Sequence, residues 1–183
     1  MDRLPYDATA LSARYDQVGM LPVVVVLHNV RSLYNVGAFF RSADGVGIHR
    51  LVLSGITGRP PHREIAKTAL GAEQQVTWES CDDVTTYVDY HHDQGYEVAA
   101  VETSQHAVDL FDWQPRFPVC LLFGHEVDGL NNSLLEQCDV HVRVPMRGLK
   151  HSLNVATAGG VVLYELLRKY RLLSAPLPPI PDP

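Results

Sequence analysis

Hydrophobic positions fall along this chain in two alternating kinds of run. Val23 to Leu27 is an unbroken Val-rich stretch, the pattern of a strand covered on both faces, as in a parallel sheet. Behind it, Val36, Phe39, Phe40 and Ala43 recur at helical spacing, which predicts a helix over Asn35 to Val46, ended by Gly45 and Gly47. His49 to Leu53 reads as the second strand, and the Gly- and Pro-rich stretch Gly55 to His62 as a loop. The pattern then predicts a short helix over Ile65 to Leu70, a short strand over Gln75 to Trp78, and an amphipathic helix over Asp82 to Gln94 begun by an acidic cap. Tyr96 to Val101 and Val119 to Phe123 read as further buried strands. Asn132 to Gln137 reads as a helical turn, Val140 to Val144 as the last strand and Asn154 to Tyr170 as the last helix. Such regular alternation predicts an α/β fold, a mostly parallel sheet with helices on both faces.

The flanks and composition bound this picture. Residues 1–20 read as a polar lead-in, residues 21–173 as one domain, and residues 174–183, with their Pro-rich run from Pro176, as a disordered tail. With 183 residues and 46% apolar content the chain can build one real core. Met1 to Met20 has no charged-then-apolar signal pattern, and no apolar run approaches the roughly 18 residues a membrane span needs, so the expectation is a soluble cytoplasmic protein. Cys81, Cys120 and Cys138 are scattered without metal-ligand spacing, which predicts neither disulfides nor a metal site. Cys120, inside an apolar strand pattern, reads as a small core residue. The nine histidines are dispersed; His91 and His92 read as solvated, and His125 and His151 as local polar groups or proton carriers near the candidate site.

The formal charge of −6 argues at first against a polyanionic partner, but its distribution changes the reading. Thr68 to Pro115 contains no Lys or Arg, whereas Arg31, Arg41, Arg50, Arg59, Arg63 and Lys67 meet only Asp44 and Glu64 in their interval. Arg143, Arg147 and Lys150 form a second basic cluster. Polarisation of this kind permits a basic face for a nucleic acid despite the net charge, although segregated surface charges would look the same.

In open parallel sheets, ligands sit at the carboxyl ends of the strands. That rule selects four places: His28 to Asn35 after the first strand, Glu102 to Ser104 after Val101, Gly124 to Gly129 after Phe123, and Pro145 to Asn154 after the last strand. In the last of these, Ser152 is expected to cap the helix, and the Pro-, Gly- and cation-bearing loop to present free amides and a positive dipole end to a ligand. An ordinary strand-to-helix connection has the same assets. The chain has no Gly-rich dinucleotide fingerprint, no phosphate-cradling Gly-Lys loop and no Gly-x-Ser-x-Gly elbow, which argues against nucleotide sites of the common kinds and against a hydrolase.

Three stretches converge on one family. Asn29-Val30-Arg31-Ser32-Leu33-Tyr34-Asn35-Val36-Gly37-Ala38, continued by Arg41-Ser42-Ala43, resembles the first motif of the SpoU (TrmH-like) RNA ribose methyltransferases. Phe123-Gly124-His125-Glu126-Val127-Asp128-Gly129-Leu130 resembles the second. Val144-Pro145-Met146 with Ser152-Leu153-Asn154-Val155-Ala156 resembles the third. All three occur in the family's order, spanning roughly Val23 to Leu167, and three motifs in register are far more specific than one.

The resemblance implies an α/β domain whose C-terminal segment is tied into a deep trefoil knot, a homodimer, and transfer of a methyl group from S-adenosylmethionine to a ribose 2′-hydroxyl in tRNA or rRNA. It implies cofactor contacts from Thr103, Gly124, Val144, Met146 and Leu153. It also places Asn35, Arg41, Glu126, Ser152 and Asn154 at the family's catalytic polar positions, with Arg41 the central one. The RNA would meet Arg31, Arg59, Arg63, Lys67, Arg147 and Lys150. A guanidinium holds its proton, so Arg41 is expected to bind the phosphate beside the target ribose and polarise the hydroxyl; transient deprotonation is the stronger alternative. Local roles compete at several positions: Asn35 as a helix cap, Glu126 as a loop acid, Ser152 as a cap. Set against larger relatives, the expectation is a chain without their separate N-terminal RNA-binding domain or long basic extensions, in which the dimer's combined surface would have to carry RNA binding. Two other readings stay open, a non-catalytic module with the same pocket and a base-modifying methyltransferase of the same superfamily.

Overall fold

The computed structural model describes residues 19–173; the expectations for the lead-in before residue 19 and for the Pro-rich tail lie outside them. Among the described residues, seven strands form one sheet: β1 Leu21–His28, β2 Ile48–Ser54, β3 Trp78–Cys81, β4 Glu97–Val101, β5 Val108–Asp109, β6 Val119–Phe123 and β7 Val140–Arg143. Their order is β3-β2-β1-β6-β4-β7-β5, and all the pairings are parallel. The helices are α1 Leu33–Val46, α2 Arg63–Ala69, α3 Val84–Asp93, α4 Asn132–Glu136 and α5 Val155–Leu173. A parallel sheet buried on both faces explains why β1 and β6 read as continuous apolar runs.

Strand alternation sorts those runs into two cores. Val23, Val25 and Leu27 point to one face, where Phe39, Phe40 and Ala43 of α1, Ile65 of α2 and Val162, Leu163 and Leu166 of α5 cover them. Val24 and Val26 point to the other, under Val84 and Val88 of α3 and Leu134 of α4. Each such fully buried side chain contributes about 1.5–3 kcal/mol relative to exposure, so the two layers fix the strand register that aims the loops. α1 and α5 lie very close: a Cβ at Gly159 would come within 2.2 Å of the Phe39 ring, so the side-chain-free position permits the crossing.

Several boundaries differ from the sequence expectation for local reasons. α1 begins at Leu33, two residues earlier than expected, and Ser32 rather than Asn35 is its cap, its side chain accepting from the Asn35 amide. The strand expected over Gln75 to Trp78 is instead Trp78–Cys81, preceded by a 3₁₀ turn over Ala72–Gln74 that Gly71 enters with φ +95°. β5, two residues at the sheet edge, carries too short a pattern to be read from sequence. The acidic cap of α3 is Asp83, whose carboxylate accepts from the Thr85 and Thr86 amides.

Candidate active site

The site lies where the sheet's central strands end. β1, β6, β4 and β7, the four whose carboxyl ends were selected from sequence, are consecutive neighbours. At the end of β1 the chain turns sharply at Asn29, which adopts the left-handed conformation (φ 61°). Its carboxamide holds that turn, accepting from the Ile56 amide and donating to His28 Nε2 at 2.9 Å. Buried Thr57 adds a second clamp, donating to the Leu27 carbonyl and accepting from the Val30 amide. Burial pushes the His28 imidazole down, in keeping with a neutral ring that accepts at Nε2. The result aims the Arg31 and Ser32 amides across the sheet.

Those amides meet Glu126. Its carboxylate accepts from the Arg31 amide at 3.0 Å, the Ser32 amide at 2.9 Å and the Asn35 carboxamide at 2.9 Å. Burial alone would push this carboxyl up, but the three donors outweigh it and hold it at about 2. A carboxyl held that low is ionised at neutral pH, and its two oxygens tie the loop after β6 to the start of α1. The loop-acid alternative for Glu126 gives way to a role in joining two motifs.

Asn35 passes the connection on. Because Ser32 caps α1, the Asn35 side chain is free, and its Oδ1 accepts from Asn154 Nδ2 at 3.2 Å. Asn154 Oδ1 in turn accepts from the Ala156 and Thr157 amides. Asn154, not Ser152, is thus the cap of α5, and it occupies amides that the sequence left for a ligand. The physical reason is position: a cap reaches the second and third helical amides, and with Val155 opening the helix only residue 154 stands at that spacing.

Beside this network is a cavity of about 320 Å³. Thr103, Gly124, Val144, Ser152, Leu153 and Glu126, all selected from sequence, line it. So do Val101, Phe123 and Val142 from the strand ends, giving apolar walls, and Glu102, Asp128 and His151, giving polar ones. Met146, Asn35, Asn154 and Arg41 do not line it. Arg41 is exposed on α1, six residues beyond Asn35 and so roughly 9 Å farther along the helix axis. Glu102, in a strand-end loop selected from sequence but given no role there, also lines the cavity; its signal was a charged side chain at the carboxyl end of a buried strand.

The expected basic face is only partly free. Arg50 makes two contacts of 3.1 Å to the Glu79 carboxylate, because β2 and β3 pair in parallel and bring the basic and acidic blocks side by side. Lys67 pairs with Glu64 at 2.7 Å, and Arg59 approaches Asp82 at 3.9 Å. Such exposed pairs are worth little and yield readily to a phosphate. Arg31, Arg63, Arg147 and Lys150 are exposed. Among the described residues no helix is long and apolar enough to cross a membrane.

Comparison with known proteins adds to this geometry. Residues 22–164 match the family model described as the SpoU rRNA methylase family. The chain is 30% identical over 147 residues to the tRNA (guanosine(18)-2′-O)-methyltransferase of Escherichia coli K12, covering 80% of this chain and 63% of that protein. In general it spans only about three-fifths of the length of the curated relatives it matches. Among solved structures, the A. aeolicus TrmH/SpoU tRNA modifying enzyme superposes with a TM-score of 0.77 at 24% identity, covering 90% of this chain and 86% of that one, a likeness of fold. The SpoU methyltransferase AviRb from Streptomyces viridochromogenes, in complex with the cofactor AdoMet, gives a TM-score of 0.70 at 29% identity, covering 84% of this chain and 58% of that one.

Proposed function

Because this chain belongs to the SpoU rRNA methylase family, we propose that it methylates a ribose 2′-hydroxyl in tRNA or ribosomal RNA, using S-adenosylmethionine. The observation that carries this reading is the chain of hydrogen bonds Glu126–Asn35–Asn154, which locks all three motifs around one cavity. The trefoil knot of the C-terminal segment comes with family membership.

The cavity suits the cofactor chemically. A volume of about 320 Å³ falls in the range of small-molecule sites, and its apolar walls can sandwich an adenine while backbone at Thr103, Gly124, Val144 and Leu153 supplies hydrogen-bonding groups. Carboxylates at Glu126 and Asp128 give it a negative lining that favours a cation. The sulfonium of bound S-adenosylmethionine supplies a methyl group already activated for transfer, so the protein's task is alignment. Glu126 orders the first motif, Asn35 and Asn154 set the start of α5 against it, and Ser152 reaches the cavity from the third. Arg41, exposed and outside the cavity, acts from the RNA side, its planar fork holding the phosphate next to the target ribose and polarising the hydroxyl. Arg31, Arg63, Arg147 and Lys150 extend the phosphate contacts.

A homodimer fits the same reading. Val161 and Tyr164 on α5 are 36% and 55% exposed, an apolar stretch beside α1 that a second copy would cover. Sedimentation at micromolar concentration should give twice the chain mass. The cytoplasm, where tRNA and ribosomal RNA meet a soluble enzyme, is the expected location.

The experiment is methyl transfer from labelled S-adenosylmethionine to total tRNA and rRNA from a strain lacking this gene, followed by nucleoside analysis. A labelled 2′-O-methylnucleoside is expected, and fractionation assigns the RNA. A labelled base would point instead to the base-modifying alternative, and no transfer despite cofactor binding to a non-catalytic module.

A further inference from the structure

Glu102 follows β4 directly and lines the cavity, yet neither the motifs nor the reaction outlined above gives it a task. Both of its carboxylate oxygens are engaged by backbone. Oε2 accepts from the Thr103 amide at 3.0 Å, and Oε1 accepts from the Leu130 amide at 3.1 Å. Its own amide donates to the Val142 carbonyl of β7 at 3.0 Å. One residue therefore joins three of the cavity's walls: the turn after β4, the end of β7 and the loop after β6.

On the side of the β6 loop there is no spare room beside that carboxylate. Gly129 has φ +67°, and a Cβ there would come within 2.1 Å of Glu102 Oε1. A Cβ at Gly124 would come within 2.4 Å of the Gly129 carbonyl carbon. The loop after β6 is thus pressed against the β4 turn with a carboxylate between them and no room for side chains. The His125 and Gly129 backbones bond to each other in both directions, so the loop is closed on itself and its position depends on its anchors. Glu126 anchors it to the first motif, and Glu102 anchors it to β4.

We propose that Glu102 is a positioning residue for the cofactor, a staple that sets the Thr103 and Gly124–Leu130 walls at the separation S-adenosylmethionine needs. The proposal rests on the functional reading above. A carboxylate is required because both partners are donors. Glutamine has one accepting end only, and at position 102 it would set an NH₂ group against either the Thr103 or the Leu130 N–H. Direct action is the competing idea, with Glu102 facing the sulfonium as a counter-charge or taking a proton in the transfer.

The test uses the full chain, with Glu102→Gln and, should that variant fold poorly, Glu102→Asp, whose shorter arm reaches one amide only. Calorimetry is run with S-adenosylmethionine and with S-adenosylhomocysteine, which lacks the positive sulfur, alongside hydrogen exchange without ligand and turnover at saturating cofactor. Stapling predicts that both ligands weaken together by about tenfold, that the Thr103 and Leu130 amides exchange faster, and that kcat at saturating cofactor stays within about twofold. Loss confined to S-adenosylmethionine would identify a counter-charge and overturn the proposal. So would a collapse of kcat with cofactor saturated, or unchanged affinity for both ligands. If the unaltered protein binds neither ligand, the functional reading fails and this proposal with it; if it binds both and Glu102→Gln binds them equally well, only this proposal fails.

Discussion

Glu126 accepts a hydrogen bond from the Asn35 carboxamide at 2.9 Å across 91 residues of sequence, and this contact carries a pH dependence. The Glu126 carboxyl sits at about 2 in the folded protein against an ordinary value of 4.5, so its folded-state pKa is depressed. A depressed carboxylate contributes stability that is fully present above the unfolded pKa and is lost as pH falls through the folded one. Glu126→Gln, which can accept at one end only, should cost about 1 kcal/mol near neutrality. That gap to the unaltered protein should close between pH 4.5 and about 2. Denaturant titrations across this window check it; a gap that does not change with pH would mean the charge is irrelevant to the fold.

Asn154 has two jobs that substitution can separate. Asn154→Ala loses the cap on Ala156 and Thr157 as well as the bond to Asn35, and should destabilise by about 1 kcal/mol while abolishing most methyl transfer. Asn154→Ser keeps a capping oxygen but cannot reach Asn35. Stability should return with Ser while activity does not, as read by thermal melting and by single-turnover rate. Activity restored along with stability would show that the cap is all that matters.

Gly159 tests the α1–α5 crossing. Alanine is the better helix former by about 1 kcal/mol, but its Cβ would fall 2.2 Å from Phe39, which is fully buried and held edge-on by Phe123 at 4.9 Å. Overpacking of a locked ring costs about 1–3 kcal/mol, so the steric term should win and Gly159→Ala should melt several degrees lower. A higher melting temperature would show that the two helices part easily.

Lys169 is buried, and its ammonium donates to the carbonyls of Leu110, Phe111 and Trp113, holding the segment between β5 and β6 against α5. Burial pushes the Lys169 amine down, which Glu165 only partly opposes. Lys169→Met fills the volume but strands those acceptors and should cost about 2 kcal/mol by denaturant unfolding. An unchanged midpoint would assign the site's stability to packing alone.

Arg41 has no polar task inside the described fold that would explain a loss of stability on substitution. Arg41→Lys should therefore leave melting unchanged and slow single-turnover methyl transfer by at least about tenfold, because an ammonium cannot reproduce the guanidinium's paired donors. A near-normal rate would remove Arg41 from the chemistry.

Much of the fold was legible in the chain because burial on two faces leaves a mark on every residue of a central strand. Val23 to Leu27 and Val119 to Phe123 could hardly be anything but inner strands of a parallel sheet, and β1 and β6 are neighbours at its centre. The motif residues were legible for a different reason, since their order and spacing resemble one family's, and the matched family is that one. The candidate cavity lies at the four strand ends selected from sequence, because the end of a parallel strand is where backbone groups and loops are left exposed.

What the sequence could not settle were relationships between residues far apart along the chain. Asn35 and Ser152 both had capping chemistry, and nothing local decided between them and their neighbours. Ser32 and Asn154 took the caps because α1 starts at Leu33 and α5 at Val155, boundaries set by how those helices pack on the sheet. The charge blocks looked segregated, yet parallel pairing of β2 with β3 brings Arg50 against Glu79 and neutralises part of the basic face. Glu102 and Glu126 show the same limit most clearly. A carboxylate's role depends on which donors surround it, and the Leu130, Arg31 and Ser32 amides reach those two residues only once the sheet has set four strand ends side by side.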